Sequence, residues 1–188
     1  MGKVIMFASG KGGTGKTTAV SAIGSQLSLQ MQRVICVDAD PLGGLDLAFG
    51  AADECVWNLA DAVAGNCKLS EALVTPKINN AAAENLRYCR LGNATDKLTL
   101  LTRHLSRRCD WVLIDSPSGI TDAPRELDAL IMVVNTDQSY YRAAAQIRER
   151  IAAPAHLLIV NRVKEHLLTR FNSTLDDAID EVGAKLIG

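Results

Sequence analysis

Ten residues near the amino terminus, Ser9-Gly10-Lys11-Gly12-Gly13-Thr14-Gly15-Lys16-Thr17-Thr18, constrain this chain more than any other stretch. They fit the spacing Gly, four residues, Gly-Lys-Ser/Thr, in which a glycine-rich loop wraps phosphate groups. The flanks agree. Val4-Ile5-Met6-Phe7-Ala8 is an apolar run suited to a strand buried on both faces. Ala19, Ile23, Leu27 and Met31 recur every fourth residue, which predicts a helix with that line on its buried face. In such a loop the backbone N–H groups of Gly12, Gly13, Thr14 and Gly15 turn inward as an anion nest, and the helix dipole adds its positive end. Lys16 supplies a point charge for the outer phosphates, and the Thr17 hydroxyl is a Mg²⁺ ligand type. A plain glycine turn would explain the glycines but not the Lys16-Thr17-Thr18 sequel at the start of a helix.

Lys11 is not required by that spacing. A second lysine inside the loop, in the form Lys-Gly-Gly-Thr-Gly-Lys-Thr-Thr, resembles the deviant P-loop of the MinD/ParA family of ATPases. The resemblance implies that Lys11 reaches across an interface to the nucleotide of a second subunit, so that ATP joins a homodimer. A solvated loop lysine is the plain alternative.

Further motifs follow in the family's order. Arg33-Val34-Ile35-Cys36-Val37-Asp38 is an apolar strand ending in an acid, and Ala39-Asp40-Pro41-Leu42-Gly43-Gly44 then ends regular structure. Asp38 and Asp40 therefore sit at the carboxyl end of a strand, the edge at which open parallel sheets bind ligands. Two carboxylates beside a triphosphate repel it unless a divalent cation intervenes. They also suit a strand-end turn capped by aspartates. The pair resembles the family's switch I, which implies that Asp40 orients the attacking water and touches the Mg²⁺ shell, while Asp38 helps hold metal and loop. Asp110-Trp111-Val112-Leu113-Ile114-Asp115 repeats the pattern of apolar strand and terminal acid, and Asp115 can accept from metal-bound water and from Thr17. Asp115-Ser116-Pro117-Ser118-Gly119-Ile120 resembles the family's switch II, which implies that the Gly119 N–H senses the γ-phosphate. Asn161 ends another strand, Ala155 to Arg162. By the same resemblance it reads the adenine edge with its paired donor and acceptor; a polar strand-end cap is the alternative.

Between these motifs, helical patterns run over 58–64 and 69–74, separated by a Gly65-Asn66 turn, and 79–84 reads as a loop. A strand is expected over 86–91, a helix with Leu98, Leu101 and Leu105 on one face, a strand over 129–135 and a helix over 136–152. The last helix carries Phe171, Leu175, Ala178, Ile179 and Val182 on one side and Asp176, Asp177, Asp180 and Glu181 on the other. An acidic face is wrong for anionic lipid, so this helix is expected to dock on its own sheet. Ala184 to Gly188 reads as the final strand.

The net charge of −1 makes no global case for nucleic acid or membrane. Arg103, His104, Arg107 and Arg108 lie close together, either as a local basic patch or, more plainly, as the solvated end of a helix. Five cysteines lack Cys-x-x-Cys or metal-site spacing, and with no secretory segment they are expected to be reduced thiols in a cytoplasm. No apolar run approaches the ~20 residues of a membrane span.

The expected fold is a single α/β P-loop NTPase domain over residues 1–188, three-layered, with a mostly parallel sheet of roughly seven strands and helices on both faces. The resemblance implies a Mg²⁺-dependent ATPase with an ATP-driven dimerisation switch. Its turnover would be slow without a protein activator, and its role would lie in division-site placement or the positioning of cargo or chromosomes. The alternative is a regulatory module that binds nucleotide and dimerises but hydrolyses poorly. The family continues past this point with a base-holding loop and further helix, so its C-terminal segment is expected to be missing here. DNA or membrane contact is not supported by this chain alone, and a peripheral place at the inner membrane would need a longer native chain.

Overall fold

The computed structural model describes residues 1–51, 54–78, 81–163 and 174–188. Its elements are β1 (Lys3–Ala8), α1 (Lys16–Leu29), β2 (Val34–Asp38), α2 (Leu45–Ala48), α3 (Leu59–Ala64), β3 (Lys77–Ile78), β4 (Ala81–Ala82) and β5 (Leu86–Arg90). They continue with α4 (Leu98–Ser106), β6 (Trp111–Asp115), β7 (Ala129–Asn135), α5 (Gln138–Arg150), β8 (His156–Asn161), α6 (Leu175–Val182) and β9 (Lys185–Leu186). Seven strands form one sheet in the order β5-β2-β6-β1-β7-β8-β9, and every pairing is parallel.

The apolar runs become strands because both sheet faces are covered. Along β1, Val4, Met6 and Ala8 enter one core with Leu101 and Leu105 of α4, Tyr141 and Ile147 of α5, and Ala178 and Val182 of α6. Ile5 and Phe7 enter the opposite core with Val20 of α1 and Leu45 of α2. This alternation needs apolar side chains at every position, as the sequence has them. From β1 the chain passes to β2 on one side and later from β6 to β7 on the other. The direction of winding thus reverses around β1, and a crevice opens at the carboxyl ends there.

Helix α1 forms where expected, but its buried line is different. Lys16, Val20, Gly24 and Ser28 face the sheet, Ala19, Ile23 and Leu27 pack at the flank, and Met31 is 76% exposed beyond the helix end. The reason is close approach: a Cβ on Gly24 would lie 2.7 Å from the Cys36 Sγ. Small residues let the helix backbone settle on β2, which turns the bulkier line sideways.

Two further expectations are corrected. Residues 69–74 are not helical. Glu71 and Ala72 close turns onto the Lys68 and Leu69 carbonyls, and Val74 pairs antiparallel with Tyr88 on the outer edge of β5. Thr75-Pro76 follows, and a residue before proline is disfavoured in helix; the pairing also covers an open sheet edge. Within 79–84, Ala81–Ala82 is a short strand paired with Lys77–Ile78 rather than loop, while Asn79 and Asn80 lie outside the described residues.

The remaining elements follow their local signals. Asn58 and Asp61 form a capping box on α3, which ends at left-handed Gly65. Arg107 follows the last turn of α4, and Arg103 pairs with Glu126. Helix α6 starts in a Thr174–Asp177 capping box and buries Ala178 and Val182; Phe171 lies outside the described residues. All five cysteines are free thiols. Among the described residues no helix is long and apolar enough to cross a membrane.

Candidate functional site

The crevice at the carboxyl ends of β1, β2 and β6 gathers the residues singled out in the sequence. Register alone brings the acids together, since Asp115 pairs with Asp38 on one side and with Phe7 on the other. The loop from Ser9 to Gly15 leaves β1 directly above them. Gly15 takes a left-handed conformation (φ 96°) as the residue before α1, and no side chain caps that helix start. The free N–H groups of the first turn are therefore open to an anion.

Lys16 is buried to 7% exposure, with its ammonium donating to Ser9 Oγ at 2.8 Å and Ser118 Oγ at 3.1 Å. Burial pulls its pKa down, and the nearby charges of Asp115 and Asp40 oppose that shift. The motif spacing assigns no role to Ser9 or Ser118. Their hydroxyls hold the lysine between the phosphate loop and the segment after β6.

Thr17 donates its hydroxyl to Asp115 Oδ2 at 2.6 Å. The other oxygen, Oδ1, is buried and has no hydrogen-bond partner among the described residues. Burial pushes the Asp115 carboxyl up to about 6, with the Thr17 hydrogen bond pulling the other way and Asp38 adding to the rise. A buried acceptor next to a threonine hydroxyl fits the shell of a Mg²⁺ ion, whose remaining ligands are water and phosphate oxygens. No cluster of three or more Asp, Glu, His or Cys side chains forms a ready-made metal cage among the described residues.

Asp38 is 2% exposed and accepts from the Asp40 N–H at 3.2 Å and the Leu45 N–H at 3.0 Å. It thereby holds the loop and replaces the missing cap of α2, since Gly44 in that position has no side chain. Burial is the main cause that raises its pKa, and these two backbone bonds oppose it. Asp40 is half-exposed, and its Oδ1 accepts from the Leu42 N–H at 3.0 Å. It stands in a cleft of about 540 Å³ lined also by Asp46, Arg90 and Asn93. Arg90, next to Asp38 in the sheet register, forms an ion pair with Asp46 that ties β5 to α2. Neither residue was anticipated, because nothing local marks an arginine in β5 as the partner of an acid 44 positions earlier.

Other expected residues are placed as follows. Gly12, Gly13 and Thr18 are exposed, and Thr14 is buried with 1% exposure. The Gly119 N–H donates to the Ser9 carbonyl at 2.8 Å, so in this conformation it is engaged with the phosphate loop itself. Lys11 does not reach outward. Its ammonium donates to Ser139 Oγ at 2.6 Å and lies 5.0 Å from the centre of the Tyr140 ring, at the start of its own α5. Asn161 directs its amide at the phosphate loop, donating to the Thr14 carbonyl at 2.8 Å.

The shift of Asp115 has a measurable consequence. Its folded pKa of about 6 exceeds the ordinary 3.8, so between those values the folded protein holds more protons than the unfolded one. Stability contributed by this group then falls as pH rises through the window, by roughly 2–3 kcal/mol in all. Asp115→Asn should remove that slope. Urea unfolding of the nucleotide-free protein at pH 4.5 and 7.5 should show the variant gaining on the wild type at the higher pH; a gap independent of pH would contradict it.

The chain is similar to known proteins over nearly its whole length. A family described as an AAA domain matches residues 2–123. The septum site-determining protein MinD of Bacillus subtilis is 31% identical over 208 residues, covering 100% of this chain and 75% of that protein. MinD of Escherichia coli K12 is 29% identical, with 100% and 77% covered. Among solved structures, MinD of Aquifex aeolicus superposes with a TM-score of 0.84 at 28% identity, covering 99% of this chain and 80% of that one. The same Aquifex aeolicus protein is also matched within a MinC:MinD complex.

Proposed function

Because the chain belongs to the MinD/ParA family of P-loop ATPases, we propose that it works as a Mg²⁺-dependent, ATP-driven dimerisation switch in spatial organisation such as division-site placement. The observation that carries this reading is the meeting of Lys16, Thr17 and Asp115, with Asp38 and Asp40 alongside, at one end of three adjacent strands. Residues 1–188 act in it as one ATPase domain.

The loop N–H groups of residues 12–18 cradle the phosphates, and Lys16 neutralises the outer ones. Thr17 and Asp115, with Asp38 behind them, would hold Mg²⁺ and its water, and the ion would supply charge neutralisation at the phosphates. Asp40, half-exposed at the cleft, orients the attacking water. The Gly119 N–H leaves the Ser9 carbonyl when a γ-phosphate offers a better acceptor, which moves the segment after β6. Asn161 presents its amide to the adenine. Lys11 leaves Ser139 and Tyr140 to reach the nucleotide of a second copy. A protein activator then accelerates an intrinsically slow turnover. Relatives set a precedent for a protein partner and for the cofactors: MinD of Aquifex aeolicus occurs in a MinC:MinD complex, and the Pyrococcus horikoshii protein was solved with Mg-ADP. The latter, at 24% identity and a TM-score of 0.77, is evidence of fold likeness.

The test is the mass in solution by light scattering with Mg·ATP, Mg·ADP and no nucleotide. A dimer is expected with Mg·ATP alone and should be lost in Lys11→Ala, with at least a roughly tenfold weaker association if one charge-assisted contact per subunit disappears. A monomer under all three conditions, with ATP bound, would overturn the switch. An ATP-dependent dimer with no turnover would favour the regulatory module instead.

A further inference from the structure

Asn161 stands 147 positions from Thr14 in sequence, yet its Nδ2 donates to the Thr14 carbonyl at 2.8 Å. Its Oδ1 accepts from the Arg162 N–H at 2.8 Å, and Arg162 has a left-handed φ of 55°. The side chain is thus held at its own strand end and aimed at the phosphate loop. The loop is shaped to receive it. Gly15 is left-handed, and a Cβ there would collide with the Asn161 amide nitrogen. Because α1 has no side-chain cap, this amide is a tertiary brace at the point where loop becomes helix. Thr14 itself is buried, and its hydroxyl has no partner among the described residues; its carbonyl accepts from the Asn161 side-chain amide.

We infer that Asn161 is a positioning residue of the phosphate loop, fixing the Thr14-Gly15 peptide so that the N–H groups of the loop converge on the phosphate chain whatever base is attached. An asparagine amide has two donors and two acceptor lone pairs. One donor and one acceptor are used here, which leaves one of each for a base edge. The same side chain therefore couples the base pocket to the phosphate pocket: loss of the brace disorders the loop, and occupation of the free pair by a base steadies the amide that holds it. The inference rests on the reading that this loop binds nucleotide phosphates.

Calorimetry with Mg²⁺ and inorganic tripolyphosphate separates the brace from base reading, since tripolyphosphate has no base. Asn161→Ala should weaken tripolyphosphate roughly five- to tenfold, the loss of about one hydrogen bond, and weaken Mg·ATP by at least as much. Asn161→Asp keeps the acceptor toward Arg162 but removes the donor toward Thr14; in high salt, which screens its added charge, it should lose tripolyphosphate similarly. In both variants without ligand, amide hydrogen exchange of a peptide spanning 9–17 should quicken while that of the β7 and β8 peptides is unchanged. An unchanged tripolyphosphate affinity with weakened ATP would make Asn161 a base reader only and overturn the brace. Unchanged affinity for both would overturn it as well. A wild-type chain that binds neither ligand would instead overturn the nucleotide-binding reading beneath it.

Discussion

Lys16→Met should reduce ATP turnover by roughly three orders of magnitude or more, the scale seen when a preorganised charged donor to a reacting oxyanion is removed. The ammonium is buried between two serine hydroxyls and faces the carboxylates of Asp115 and Asp40. Lys11, the loop's second lysine, does not stand in for it: it lies against Ser139 in this structure, and in the proposed switch it turns to the nucleotide of a second copy. Binding of Mg·ATP should also weaken, by roughly ten- to a hundredfold. Stability should move in the other direction or not at all. A buried ammonium carries a desolvation cost, and a methionine of similar length fills the same channel without it. Steady-state turnover and urea unfolding on the same preparation check both parts. Turnover within about tenfold of wild type would show that the loop does not hold the reacting phosphates as proposed.

Asp40→Ala should lower turnover by roughly a hundredfold or more, with Mg·ATP affinity changed by less than about threefold. The pairing of those effects decides between an ATPase and a passive nucleotide-binding module, because only the first uses Asp40 in the transition state. One oxygen of Asp40 also accepts from the Leu42 N–H, so alanine removes a turn contact as well as a charge. Asp40→Asn separates the two. It keeps an acceptor for Leu42 but cannot act as an anion toward water, and it should lose as much turnover as alanine. An asparagine variant with near wild-type turnover would assign the effect to loop order and remove Asp40 from the chemistry. Single-turnover measurement is the appropriate assay, since a switch that turns over slowly accumulates in its bound state.

Much of the fold and of the candidate site's layout was legible from local patterns. The strand before the loop, the lysine and threonine at the helix start, and the acids closing two later strands all lie where expected, and Thr17 meets Asp115 directly. The weaker readings failed for identifiable reasons. The apolar line of α1 and its true buried line share the same four-residue spacing, so periodicity could not choose between them; the close contact of Gly24 with Cys36 chose. The segment over 69–74 had a short helical pattern, but an isolated turn of helix is marginal, and pairing with Tyr88 uses both backbone groups of Val74 while covering the edge of β5.

The sequence by itself determined the parallel sheet, the phosphate loop and the row of acids at the strand ends. Each depends on a residue and its neighbours within a turn or a strand: a run apolar at every position, glycines beside a Lys-Thr pair, an acid where the run stops. Only the tertiary structure decided which partners those groups take. Lys11 lies against Ser139 and Asn161 against Thr14, pairs separated by 128 and 147 positions, and Arg90 lies against Asp46. Such hydrogen bonds exist only after the sheet has set the order of its strands, because the order brings their ends together and the length of chain between them carries no mark of it.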